Sequence, residues 1–196
     1  MAIEFELKFR GNPEVLQTMA QQIPGEETKL QMQTVYYDTV DGALSQRHYT
    51  LRRRMENRQS VCTLKTPAGG LGRREFETIC PTIEEAIPEL CKQSGLPELP
   101  GLLKGGVVAV CGARFTRIAK RVVLEACTVE LALDSGVLTG GGKEEPLWEV
   151  EVELKSGSRE AAVGFAMQLA LAYSLQPEKH SKFRRAQALA KGEKHG

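Results

Sequence analysis

Apolar and charged residues alternate strictly over residues 2–10 of the chain. One face of this segment collects the apolar side chains, and the other collects Glu4, Glu6, Lys8 and Arg10. Successive side chains of a β-strand point to opposite faces, so a period of two residues indicates a strand. The chain is therefore predicted to begin with a strand that has one charged face.

The rest of the chain shows many short strand patterns and few helical ones. Helices are predicted over residues 12–23, 82–95 and 158–177, each with capping or stop signals at its ends. Strands are predicted between turn signals, over residues 30–39, 49–55, 60–66, 73–80, 113–127, 128–134 and 147–155. About eight strands with few helices favour an α+β fold that is mainly β, a closed eight-stranded antiparallel β-barrel with helices packed outside. No repeat or linker divides the chain, so residues 1–196 are predicted to form a single domain.

Composition narrows the class of protein. The chain has 196 residues, of which 41% are hydrophobic, and no run approaches the ~18 apolar residues of a spanning helix. The N-terminus has no basic and then apolar signal peptide, so a cytoplasmic protein without a membrane partner is expected. A net charge of +1 gives no reason to expect a nucleic-acid partner. The five scattered cysteines suggest neither a disulfide framework nor a zinc cluster.

A second acidic strand repeats the pattern of the first. Residues 147–155 place Glu149, Glu151 and Glu153 on one face and apolar residues on the other. For a single charged strand, contact with water is the simplest explanation. Three carboxylates spaced two residues apart repel one another, however, and a hard divalent cation would relieve that repulsion. Two acidic strands that face one cavity would make a site for Mg²⁺ or Mn²⁺.

Cationic residues occupy the strands between the two acidic ones. Alternation places Arg52 and Arg54 on the same strand face. The planar guanidinium group matches two phosphate oxygens at once, and several such groups around one point indicate an anion with more than one phosphate. A solvated basic face is the alternative explanation for any one of them. The other cations of this set are Lys65, Arg73, Arg117, Lys120, Arg121, Lys182, Arg184 and Arg185.

In this order, the motifs resemble those of the CYTH, or triphosphate tunnel metalloenzyme, family. The first is E-x-E-x-K at Glu4, Glu6 and Lys8, a weak signal when taken alone. The others are Y-Y-D-T at 36–39, L-R-x-R at 51–54, R-x-E-x-E at 73–77, E-L-x-L-D-x-G at 130–136, E-V-E-L-K-S-G at 151–157 and S-K-x-x-R at 181–185. The ordered set is specific because it spans nearly the whole chain.

The resemblance implies a tunnel that holds a triphosphate between inward cations and metal-binding carboxylates. Mg²⁺ or Mn²⁺ would be the cofactor. The implied metal ligands are Glu4, Glu6, Glu151 and Glu153, with Glu149 and Glu75 as contributors to a second metal or to water activation. The implied phosphate ligands are Lys8, Arg52, Arg54, Lys65, Arg73, Arg117, Lys182 and Arg185, and strand spacing adds Arg121 on the face of Arg117. The catalytic set would be Glu4, Glu6, Lys8, Lys65 and Glu75.

Several reactions occur in the family, and the sequence discriminates among them weakly. The segment 36–54 is more similar to the bacterial inorganic triphosphatase branch, so hydrolysis of inorganic triphosphate by a monomer or homodimer is the first expectation. A class IV type adenylate cyclase or a thiamine triphosphatase is the alternative. A non-catalytic polyphosphate- or nucleotide-binding module would gain by losing its inward carboxylates. A barrel with its charged faces outside would instead fill its interior with Phe5, Val150 and Val152.

A double substitution tests the metal hypothesis. The Glu151→Gln and Glu153→Gln variants are expected to fold but to lose Mg²⁺- or Mn²⁺-dependent phosphate release from tripolyphosphate, because the amide oxygen is a poorer ligand than the carboxylate. Phosphate release is measured with each metal in turn. Wild-type turnover by the double variant would refute the assignment.

Overall fold

The computed structural model describes residues 3–68 and 72–193, with only the backbone for Ile3 and Glu4. The strands within these ranges are β1 (Ile3–Glu4), β2 (Glu6–Arg10), β3 (Glu26–Asp38), β4 (Thr50–Glu56), β5 (Gln59–Pro67), β6 (Arg73–Ile79), β7 (Val108–Val123), β8 (Cys127–Gly140), β9 (Lys143–Gly157) and β10 (Gln176–Pro177). The helices are α1 (Pro13–Gln22), α2 (Ala43–Gln46), α3 (Ile83–Ser94), α4 (Leu99–Leu103), α5 (Arg159–Ala172) and α6 (Lys182–Lys191). None of these helices is long and apolar enough to cross a membrane.

All strand pairs are antiparallel, in the order β1-β6-β5-β4-β3-β7-β8-β9-β2-β10. The predicted first strand is interrupted at Phe5, so that β1 pairs with β6 and β2 pairs with β9. The carbonyl of Phe5 accepts a hydrogen bond from the Leu154 amide, at 3.0 Å. One short segment of chain thus joins the two sides of the sheet. With β1 and β2 counted as one strand and the two-residue β10 set apart, the sheet has the eight strands that were predicted. It curls into the predicted tunnel-like barrel, although hydrogen bonds between the described strands do not close it.

Strands β8 and β9 extend further than predicted at both ends, whereas β7 begins earlier than predicted, at Val108, and also ends earlier, at Val123. Strand β8 was expected to end at Asp134, yet it continues to Gly140. A Cβ atom at Gly136 would lie 2.1 Å from the Arg114 carbonyl oxygen of β7. This glycine therefore marks a close approach of two backbones and not a chain reversal.

The C-terminal segment, for which no helix was predicted, forms helix α6. The helix lies close to the turn between β8 and β9, where a Cβ atom at Gly140 would be 2.4 Å from the Ala186 carbonyl oxygen. Ala186 also belongs to an apolar cluster with residues of β3, β7, β8 and β9, namely Met32, Ala113, Phe115, Leu138 and Leu147. Helix α6 consequently packs against the inner side of the sheet.

The other helices cover the outer side of the sheet. Helices α1 and α5 bury the apolar faces of β2 and β9, where Phe9, Val150 and Val152 are at most 3% exposed. Helices α3 and α4 cover the apolar faces of β4, β5 and β6 in a second cluster. The apolar faces therefore point outward to the helices, which leaves the charged faces directed inward and excludes the barrel with outward charges.

Candidate active site

The inward faces of the strands line a cavity of about 450 Å³. Most of the residues that were predicted to bind metal or phosphate line this cavity. The lining includes Glu6, Lys8, Arg52, Arg54, Lys65, Arg73, Glu75, Arg117, Glu151, Glu153 and Lys182. Strand alternation brings most of these residues together, because those that share a strand occupy every second position, whereas Lys182 comes from helix α6.

Six of the suggested residues are not part of the described lining. Arg184 is exposed, and Lys120 donates hydrogen bonds to the carbonyls of Ala20 and Ile23. The side chain of Glu4 lies outside the described residues. Arg121, near the end of β7, is exposed and does not line the cavity. Glu149 and Arg185 are buried, at 0% and 6% exposure, and also lie outside the lining.

One wall of the cavity, formed by β4, β5 and β6, is cationic on balance, with four cations against the carboxylates of Glu56, Glu75 and Glu77. Glu75 lies between Arg52 and Lys65, at 3.3 and 3.2 Å. Burial and the neighbouring Arg52 lower the pKa of Arg54. Arg54 is therefore held close to a like charge against repulsion, so an anion in the cavity would be attracted to this wall.

The opposite wall, from β2, β8 and β9, is acidic. Glu6 and Glu153 are paired residues of adjacent strands, and Glu153 is also paired with Glu130. Lys8 lies 3.2 Å from Glu6. Burial alone would lower the pKa of Lys8, but the carboxylates of Glu6 and Glu151 outweigh it and the pKa is raised. The ammonium group therefore stays charged beside the carboxylates.

Deeper than these walls, Lys182 of α6 meets three carboxylates. Its ammonium group is 2.8 Å from Asp134 and 2.7 Å from Glu151, and it also donates a hydrogen bond to Glu149. Burial alone would lower the pKa of Lys182, yet the three carboxylates raise it well above its ordinary value. The helix N-terminus is thus held in the cavity by a buried charge cluster.

Arg117 supplies a second cation to the same cluster. Its guanidinium donates two hydrogen bonds to Asp134, both of 2.7 Å, and another to Glu151. Lys182 and Arg117 outweigh the effect of burial and hold the pKa of Glu151 well below its ordinary value. For Glu149, burial dominates over Lys182 and raises the pKa to about 7. The two neighbouring carboxyl groups therefore differ in acidity.

Asp134 lies in the E-L-x-L-D-x-G motif, but its role was not predicted from the sequence. It is 0% exposed and binds cations from both β7 and α6. The sequence did contain a signal for such a role, because Asp134 ends a predicted strand that is rich in apolar residues. A carboxylate that is buried in such a strand requires a charged partner.

Carboxylate oxygens of Asp134, Glu149 and Glu151 lie within 4.8 Å of one another, a spacing that fits a metal ion. Lys182 contacts all three carboxylates. Glu6 and Glu153 offer further oxygen donors on the cavity surface. The donor set consists of hard oxygen ligands, as Mg²⁺ and Mn²⁺ prefer.

Comparison with known proteins identifies the family. The model of the CYTH domain matches residues 2–186. The chain belongs to the CYTH family. An inorganic triphosphatase of Haemophilus influenzae is 32% identical over 165 residues, which cover 81% of this chain and 47% of the relative. The aligned part of the chain therefore spans about half the length of this relative.

Solved structures support the same fold. A Hippeastrum protein, described as a candidate adenylyl cyclase with a dominant triphosphatase activity, superimposes with a TM-score of 0.69 at 21% identity, covering 98% of this chain and 97% of that one. A candidate adenylate cyclase from Bacillus halodurans gives a TM-score of 0.62 at 20% identity, covering 93% and 96%. At these identities the likeness is one of CYTH fold.

The buried cluster leads to a prediction about stability. Asp134→Asn is expected to lower the free energy of unfolding by about 3–5 kcal/mol, because Arg117 and Lys182 would lose a buried counter-charge. The exposed pair of Arg114 and Glu144 is the control, and Glu144→Gln should cost less than about 1 kcal/mol. Urea unfolding at pH 7 measures both. Equal losses would contradict the importance of the buried cluster.

Proposed function

We propose that this CYTH protein hydrolyses a triphosphate in the cavity, with inorganic triphosphate as the first candidate substrate. The observation that carries this proposal is the juxtaposition of a cationic wall and an acidic wall around one cavity. A triphosphate carries several negative charges and therefore suits a site with many cations. The similarity to the Haemophilus influenzae triphosphatase supports hydrolysis.

In this proposal the cations bind and orient the phosphate chain. Arg52, Arg54, Lys65 and Arg73 would hold it against the wall of β4, β5 and β6, and Lys8 would approach from β2. Fixed cations stabilise the charge that develops on a transferring phosphoryl group, so positioning and electrostatics supply most of the rate enhancement. Arg117 and Lys182 face the same cavity from the other side. Arg185 and Arg121 do not line it and would act less directly.

The carboxylates would complete the site by holding a divalent metal. Glu6, Glu151 and Glu153 are the proposed ligands, and Glu4, two residues before Glu6 in the sequence, would be a fourth. Glu149 and Asp134, in the buried cluster, would lie behind these ligands. When bound, Mg²⁺ or Mn²⁺ would neutralise phosphate charge and promote attack by water. Glu75, which lies between Arg52 and Lys65, would orient a water molecule beside the phosphate.

A non-catalytic phosphate-binding module is the main rival. Such a module would bind anions better without inward carboxylates, and Glu6, Glu75, Glu151 and Glu153 all line the cavity. Thiamine triphosphatase and ATP cyclase activities would use the same phosphate site with a different organic group. The distinction lies in the substrate and the product.

A substrate panel tests the proposal directly. Purified protein with Mg²⁺ or Mn²⁺ is given tripolyphosphate, thiamine triphosphate, ATP and pyrophosphate, and the products are identified. We expect metal-dependent release of phosphate from tripolyphosphate and little turnover of pyrophosphate. If cyclic AMP from ATP is the main product, the protein is a cyclase and the proposal of hydrolysis is wrong. Binding of tripolyphosphate without turnover of any substrate would favour the module.

Two adjacent arginines of β4 provide a matched test of the cationic wall. Arg52 lines the cavity, whereas Arg53 points outward and donates to the Pro81 carbonyl. We expect Arg52→Gln to lower kcat/KM for tripolyphosphate by about 30- to 900-fold. This corresponds to a loss of about 2–4 kcal/mol of transition-state stabilisation, by analogy with other oxyanion-stabilising donors. Arg53→Gln removes the same charge and should stay near the wild-type value. Similar losses in both variants would mean that net charge, and not the inward position, determines activity.

A further inference from the structure

Glu178 is a buried carboxylate in the short segment between β10 and α6. Its side chain is 0% exposed, and the residue does not line the cavity. One carboxylate oxygen accepts a hydrogen bond from Arg10 of β2 and lies 3.4 Å from the guanidinium of Arg185. The other oxygen accepts one from the His180 amide, at 2.8 Å. Glu178 therefore connects a strand of the barrel to the first turn of α6.

The backbone around Glu178 is tied to the same strand. Strand β10 pairs with β2, with Gln176 opposite Arg10. The Glu178 amide donates a hydrogen bond of 2.8 Å to the carbonyl of Lys8, whose side chain faces the cavity. The segment that leads into α6 thus takes its position from the strand that carries Lys8.

On the helix side, Arg185 transmits this position to Lys182. Arg185 donates a hydrogen bond of 2.7 Å to Glu149, and Glu149 also accepts one from Lys182. Lys182 and Arg185 are three residues apart, so they lie on the same face of α6. When Glu178 and Glu149 hold Arg185, they fix the rotation of the helix about its axis. That rotation determines where the ammonium group of Lys182 lies.

We propose that Glu178 is a positioning residue, which locks α6 to β2 through Arg10 and Arg185 and thereby places Lys182 in the cavity. Its contribution to turnover rests on the proposed function, whereas its effect on the position of Lys182 does not. A merely structural ion pair would stabilise the fold and leave Lys182 equally protected in the folded variant. The two roles differ in what happens to Lys182.

Acetylation of lysines, quantified residue by residue by mass spectrometry, tests the proposal. In the wild type the Lys182 side chain is 9% exposed and engaged with three carboxylates, whereas Lys179 is exposed and serves as an internal reference. We expect Glu178→Gln to raise the ratio of Lys182 to Lys179 acetylation by at least about fivefold, as local opening of α6 becomes less costly. Glu125→Gln, at an exposed turn residue, removes the same charge and should leave the ratio unchanged.

Labelling is carried out well below the melting temperature of each variant. An unchanged ratio in folded Glu178→Gln would overturn the proposal, whatever happens to the melting temperature. If that variant does not fold, Arg10→Gln replaces it, because the Arg10 side chain is 47% exposed and its loss is less disruptive. In Arg10→Gln we expect a smaller increase in the Lys182 to Lys179 ratio than in Glu178→Gln. If the ratio does not increase in Arg10→Gln, the proposal is likewise overturned.

Kinetics with tripolyphosphate provide a second measurement. Misplacing Lys182 should lower kcat by about 10- to 100-fold with a smaller change in KM, because alignment in the transition state suffers more than binding. A wild-type kcat in folded Glu178→Gln would contradict a positioning role in turnover. If the wild type hydrolyses no triphosphate, the proposed function fails, and the acetylation ratio still decides whether Glu178 positions Lys182.

Discussion

The buried contact between the Lys182 ammonium group and the carboxylates of Asp134, Glu149 and Glu151 organises the centre of this protein. Three carboxylates so close together would repel one another strongly away from water, and none could stay ionised without nearby cations. Lys182 comes from α6 and Arg117 from β7, so the charges are balanced only when the C-terminal helix is in place. The cluster thereby couples the end of the chain to the strands that form the cavity.

The same constraint explains why the helices are divided between two sides of the sheet. If the charged face of a strand points into the barrel, its apolar face points outward and must be covered by helices on the outer side. Helices α1, α3, α4 and α5 provide that outer cover, while α6 packs against the inner side. The CYTH barrel is therefore stabilised mainly from outside, which leaves room inside for charged side chains and a ligand.

Local patterns in the sequence were sufficient for much of this arrangement. Alternation predicted that Arg52 and Arg54 share a face, and the structure places both on the cavity surface. Alternation could not separate Glu149 from Glu151, because both have the same periodicity. Only the packing of α6 makes Glu149 part of a buried ion cluster while Glu151 also borders the cavity. The interruption at Phe5 was equally invisible, since residues on both sides continue the strand pattern.

The sequence by itself determined that this chain forms charged, alternating strands in the order of a CYTH barrel, because strand periodicity and motif order are local properties. The direction in which those charged faces point was decided by the tertiary structure, since it depends on which side the helices cover. The place of α6 was also decided there. The sequence motif assigned Lys182 and Arg185 to phosphate binding but predicted no helix around them, and the buried carboxylates that hold them in the interior come from distant strands.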